Sequence, residues 1–94
     1  MPEAQRTVRV VNAAGLHARP CHAIVAKALE FEECAFRIRL KGADGDGVNG
    51  KSILELMTLE ASEGTELEIL GEGDDVGTLL DAIERLFASH FGES

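Results

Sequence analysis

Phe36, Ile38 and Leu40 alternate with Arg37, Arg39 and Lys41, and this alternation constrains the fold more than any other stretch. Successive side chains of a strand point to opposite faces. This strand therefore offers one apolar face to a core and one charged face to water. A sheet built from such strands is covered on one side, unlike a doubly wound sheet, whose strands are apolar on both faces. Other segments carry the same pattern. Thr7-Val8-Arg9-Val10-Val11 is β-branched with Val8 and Val10 on one face, and Thr65, Leu67 and Ile69 alternate with Glu66 and Glu68. The stretch Gly42-Ala43-Asp44-Gly45-Asp46-Gly47 is turn chemistry, from which a short strand around Val48-Asn49 returns as a hairpin.

Between these strands the apolar period lengthens to that of a helix. Pro20 suits a first helical turn, and Cys21, Ile24, Val25, Ala28 and Leu29 follow on one face. Ser52 with Glu55 three residues on reads as a capping box opening a short helix through about Leu59. Asp74 or Asp75 can cap a last helix whose apolar face is Val76, Leu79, Leu80, Ile83 and Phe87, with Gly92 as its stop. The order is β-α-β-β-α-β-α. The expected fold is α+β: an open-faced β-sandwich with a four-stranded antiparallel sheet and three helices on one face. Ninety-four residues without linker or repeat make residues 1–94 one domain.

Composition removes several functions. Nine Lys and Arg against seventeen Asp and Glu give a formal charge of −8, the wrong sign for a phosphate-backbone groove, so no nucleic-acid partner is expected. With no Trp, no Tyr and four Phe, a base-stacking platform is also excluded. No apolar run approaches the ~20 residues of a membrane span, and nothing at the start resembles a signal peptide. Two cysteines, Cys21 and Cys34, make no disulfide framework, which points to a reducing cytoplasm.

Three motifs carry chemistry. Gly45-Asp46-Gly47-Val48-Asn49-Gly50-Lys51-Ser52 satisfies the P-loop pattern letter for letter, but too little chain follows to build the parallel sheet such a loop needs. A nucleotide-binding protein is the rival reading from another functional class. His17 stands just before the helix that carries Pro20, where unpaired N–H groups point outward, and Arg19 adds a permanent charge. A neutral imidazole nitrogen is a nucleophile that can take a phosphoryl group, and the helix start and Arg19 would then hold the anion. His17, Cys21 and His22 lack the ligand count of a structural metal site, so neither metal nor cofactor is expected. In the short helix Ile53, Leu56 and Met57 share a face and leave Leu54 exposed. With Leu16, Ile53 and Met57, Leu54 could make the apolar centre of a docking surface beside His17.

Gly15-Leu16-His17-Ala18-Arg19-Pro20, with Lys51-Ser52-Ile53 downstream and the element order above, resembles the HPr family. These are the histidine-containing phosphocarriers of the bacterial phosphoenolpyruvate-dependent phosphotransferase system. The resemblance runs from about Thr7 to Phe91. It implies that Enzyme I phosphorylates His17 on its δ1 nitrogen and that the group passes to IIA-type domains, with Arg19 neutralising it. Ser52 matches the serine that an HPr kinase/phosphorylase modifies in many bacteria; on its residues alone, Ser52 is equally a plain helix cap. The implied protein is a cytoplasmic monomer, a carrier of sugar transport and no stand-alone catalyst. The alternative is a regulatory relative whose phosphorylated His17 reports metabolic state without moving sugar.

Overall fold

The computed structural model describes residues 2–93. Four strands, β1 (Glu3–Arg9), β2 (Ala35–Leu40), β3 (Val48–Asn49) and β4 (Glu66–Glu72), form one antiparallel sheet in the order β1-β4-β2-β3. Helices α1 (Ala18–Ala28), α2 (Ile53–Met57) and α3 (Val76–Ala88) complete the expected order, and a 3₁₀ turn at His90–Gly92 follows. The architecture is the α+β open-faced sandwich read from the patterns.

The two sheet faces differ as the alternation requires. Val8, Phe36, Ile38, Leu67 and Ile69 are buried, against Ile24 and Val25 of α1, Leu56 of α2 and Leu79, Leu80 and Ile83 of α3. On the open face the glutamates of central β4 meet cations from both neighbours. Arg39 Nε donates to Glu68 at 2.8 Å, while Arg9 and Lys41 flank Glu66 at 3.7 and 3.8 Å. Such pairs contribute little to stability individually, but they make the cross-strand register chemically consistent.

Several local expectations shift. The first strand runs over Glu3–Arg9, earlier than Thr7–Val11. Arg6 obscured it, because a cation occupies an inward position. Its guanidinium escapes the core by donating to Glu84 at 2.7 Å and to Asp81 on α3. The last strand continues to Glu72, and the short helix stops at Met57. Leu29 and Leu40, expected on apolar faces, are 54% and 39% exposed, because each ends its element at the margin of the core. Asp75 precedes α3 in the left-handed conformation with φ 65 and no side-chain cap bond; the turn is closed instead by Val76 N–H on the Gly73 carbonyl. Gly92 does not stop α3, which ends at Ala88, but closes the 3₁₀ turn beyond it.

Candidate functional site

The loop from Asn12 to Leu16 fixes where α1 begins. Gly15 has φ +75, and a Cβ there would lie 2.8 Å from the Ala61 carbonyl oxygen, so only glycine fits. Leu16 N–H donates to that carbonyl at 2.8 Å. Asn12 is fully buried, and its Nδ2 donates to the Gly15 carbonyl at 2.7 Å. The chain then enters α1 with His17 as the N-cap in extended conformation. Its side chain does not cap the helix, so the ring is available for other contacts. Pro20 occupies the third helical position, leaving the free amides of the first turn at Ala18 and Arg19.

His17 Nε2 lies 3.1 and 2.9 Å from the two carboxylate oxygens of Glu93, which also accepts from Asn12 Nδ2 at 3.1 Å. The hydrogen bond from His17 above all, then that from Asn12 and the positive charge of Arg19, holds the Glu93 carboxyl below its ordinary value, against a cost of burial second in size to the His17 bond. An ionised carboxylate only accepts, so Nε2 must carry the hydrogen. In a neutral ring the lone pair then sits on Nδ1, for which no partner exists among the described residues. Arg19 is exposed and forms no ion pair among the described residues. Cys21, one turn on, is fully buried and its thiol is pushed up to about 11 by desolvation, so it is no competing nucleophile.

Ser52 is the N-cap of α2, and its Oγ accepts from Glu55 N–H at 3.2 Å. The reciprocal half of the capping box is displaced: Glu55 Oε1 accepts from Asn49 N–H at 3.0 Å, while Ser52 N–H donates to the Asn49 carbonyl. Leu54 is 80% and Met57 42% exposed, and Ile53 is half-buried against the core. Leu16, expected in the same exposed surface, is only 5% exposed. Hydrogen bonding of the loop to Ala61 turns its side chain inward, so Leu16 supports the loop and presents nothing to a partner.

The glycine-rich stretch makes no phosphate cradle. The carbonyls of Gly45, Asp46 and Gly47 accept from Arg39 and Arg37, and Lys51 Nζ donates to the carbonyls of Phe31 and Cys34 at 2.9 and 2.6 Å. A Cβ on Gly50 would run into the Phe36 ring, so this glycine admits the aromatic side chain rather than a phosphate.

Sequence reading passed over Asn12 and Glu93. Asn12 only follows the expected first strand Thr7–Val11, and Glu93 lies 76 residues from His17, a separation no local pattern spans.

The family model described as "PTS HPr component phosphorylation site" matches residues 4–89. Phosphocarrier protein HPr of Treponema pallidum is 46% identical over 88 residues, covering 94% of this chain and 96% of that protein. The multiphosphoryl transfer protein of Vibrio cholerae is 37% identical over 89 residues, which span 93% of this chain but 22% of that protein. Among solved structures, HPr-C-His from Thermoanaerobacter tengcongensis superposes with a TM-score of 0.84 at 35% identity, covering 100% of this chain and 99% of that one.

Proposed function

The chain belongs to the HPr family, the phosphocarriers of the phosphotransferase system, and from that premise we propose that His17 Nδ1 is the atom that carries the phosphoryl group. The observation that carries this reading is the hold on Nε2: with the hydrogen committed there, Nδ1 keeps its lone pair and faces no protein partner among the described residues. The nucleophile attacks phosphorus in line, and the bond to the donor's leaving group breaks with its electron pair. The amides of Ala18 and Arg19 at the start of α1 and the Arg19 guanidinium, exposed and without an ion pair among the described residues, supply positive potential for the incoming charge. The donor in this reading is phosphorylated Enzyme I and the acceptors are IIA-type domains, which makes the protein a monomeric cytoplasmic shuttle in sugar uptake rather than a catalyst that turns over alone. Leu54, Met57 and the exposed edge of Ile53 form the apolar docking patch. Ser52, at the start of α2, is the regulatory site for an HPr kinase/phosphorylase.

Labelling with phosphoenolpyruvate and Enzyme I tests this directly. The label should be acid-labile and alkali-stable, as a phosphoramidate is, and should disappear in His17→Ala. Arg19→Glu should retain the melting temperature yet take up phosphate far more slowly, because two anionic groups would face each other. Label retained by His17→Ala would overturn the assignment. Onward transfer to a purified IIA domain separates the sugar-uptake role from a purely regulatory one.

A further inference from the structure

The chain leaves α3 through three consecutive left-handed residues: His90 at φ 57, Phe91 at φ 54 and Gly92 at φ 76. Only glycine adopts this conformation freely, and non-glycine residues hold it where their surroundings over-determine it. Here the Phe91 ring meets Phe87 edge-on, with centroids 4.9 Å apart and planes at 65°. Gly92 and Glu93 N–H donate to the carbonyls of Ser89 and His90 at 3.0 and 2.8 Å. This strained hook delivers one carboxylate to one imidazole. Asn12, itself fixed to the Gly15 carbonyl, holds the carboxylate from its other side.

We propose that Glu93 is a positioning residue for phosphoryl transfer at His17, a role that rests on His17 being the acceptor. Its carboxylate fixes the ring with the hydrogen on Nε2 and aims Nδ1 outward. It also offsets the charge the ring acquires in the reaction. When the Nδ1 lone pair forms the N–P bond and the donor's bond to phosphorus breaks, the Nε2 hydrogen stays in place and the ring becomes an N-phosphoimidazolium. In onward transfer the N–P electron pair returns to Nδ1 and the ring is neutral again, with the same hydrogen on Nε2. No proton enters or leaves in either direction, so the carrier needs no acid or base of its own. The carboxylate contacts Nε2 and leaves the phosphoryl face of the ring open, so one residue serves both directions of transfer. Hydrogen-bonded carboxylates orient imidazoles in this way in other sites, where amide replacement yields the wrong tautomer.

The test is Glu93→Gln, with Glu93→Asp as the conservative companion. In the wild type, ¹⁵N NMR of the neutral His17 ring should show hydrogen on Nε2 alone. The side-chain amide introduced by Glu93→Gln can donate as well as accept, so the tautomer with hydrogen on Nδ1 should appear in that variant. The maximal rate of phosphoryl uptake should fall by about tenfold or more, with KM for the phosphorylated donor unchanged because the docking patch is untouched. Glu93→Asp keeps the acceptor-only carboxylate and should restore the Nε2–H tautomer and part of the rate. A Glu93→Gln protein with wild-type tautomer and wild-type maximal rate overturns the proposal. Failure of the acceptor reading is visible separately, as wild-type protein whose label lies elsewhere than on His17.

Discussion

Leu54→Glu separates docking from folding on a single short helix. Leu54 is 80% exposed, whereas Leu56 on the opposite side of α2 is fully buried. Complete burial of a leucine side chain is worth about 1.5–3 kcal/mol. If a partner covers what water now reaches, four fifths of that value, about 1.2–2.4 kcal/mol, is available to the complex and none of it to the fold. At 1.4 kcal/mol per tenfold, loss of Leu54 should weaken Enzyme I binding by roughly 7- to 50-fold. The introduced charge would add to this, since burying an unpaired carboxylate is costly. Leu54→Gln removes the apolar contact without the charge and isolates the first contribution. Calorimetric titration with Enzyme I measures the affinities, and thermal unfolding measures stability. Both variants should melt close to the wild type, as exposed substitutions away from caps and pairs usually change stability by less than ~0.5 kcal/mol. Leu56→Ala is the contrasting control and should cost about 2–5 kcal/mol of stability. Wild-type affinity in Leu54→Gln would refute the apolar docking argument even if Leu54→Glu bound weakly, since charge alone would then explain the effect. A melting temperature that falls steeply in both would show Leu54 to be a core residue.

Three further sites give outcomes that the geometry fixes. Ser52→Ala removes the acceptor for Glu55 N–H and should cost about 1 kcal/mol, some 4–8 °C in melting temperature, with near-normal transfer. Ser52→Asp retains a capping oxygen and should keep its stability, yet cut phosphoryl uptake tenfold or more by placing charge beside the docking patch; equal transfer by all three proteins would leave Ser52 a cap and nothing more. Gly50→Ala would drive a Cβ into the Phe36 ring; overpacking of this kind costs about 1–3 kcal/mol, so an unchanged melting temperature would show that the ring yields. Glu93, held down by His17, Asn12 and Arg19, should contribute its full contact energy above the ordinary carboxylate range. That contribution is lost as pH falls through the depressed value, and a ¹³C titration of the side chain that gives an ordinary carboxyl value would contradict the contact.

What the sequence determined by itself was the part governed by short-range periodicity. The alternation at Phe36–Lys41 required a sheet with one wet face, and the apolar spacing from Cys21 and from Val76 required helices to cover the other. Chain order and the His17-x-Arg19-Pro20 run then placed a nucleophile and a cation at a helix start, because a cap and its first turn are local structures. Tertiary structure decided whatever depended on distant neighbours. Arg6 could face inward because Asp81 and Glu84 of α3 receive its charge. Leu16 turned away from the surface because Ala61 takes its N–H. The partner of His17 came from 76 residues away, delivered by a left-handed turn at His90 and Phe91 that no propensity favours. Its conformation is held by the packing of Phe91 on Phe87 and by the hydrogen bonds at its end. A periodic pattern records which way a side chain points within its own element; which atom it meets depends on how the elements pack.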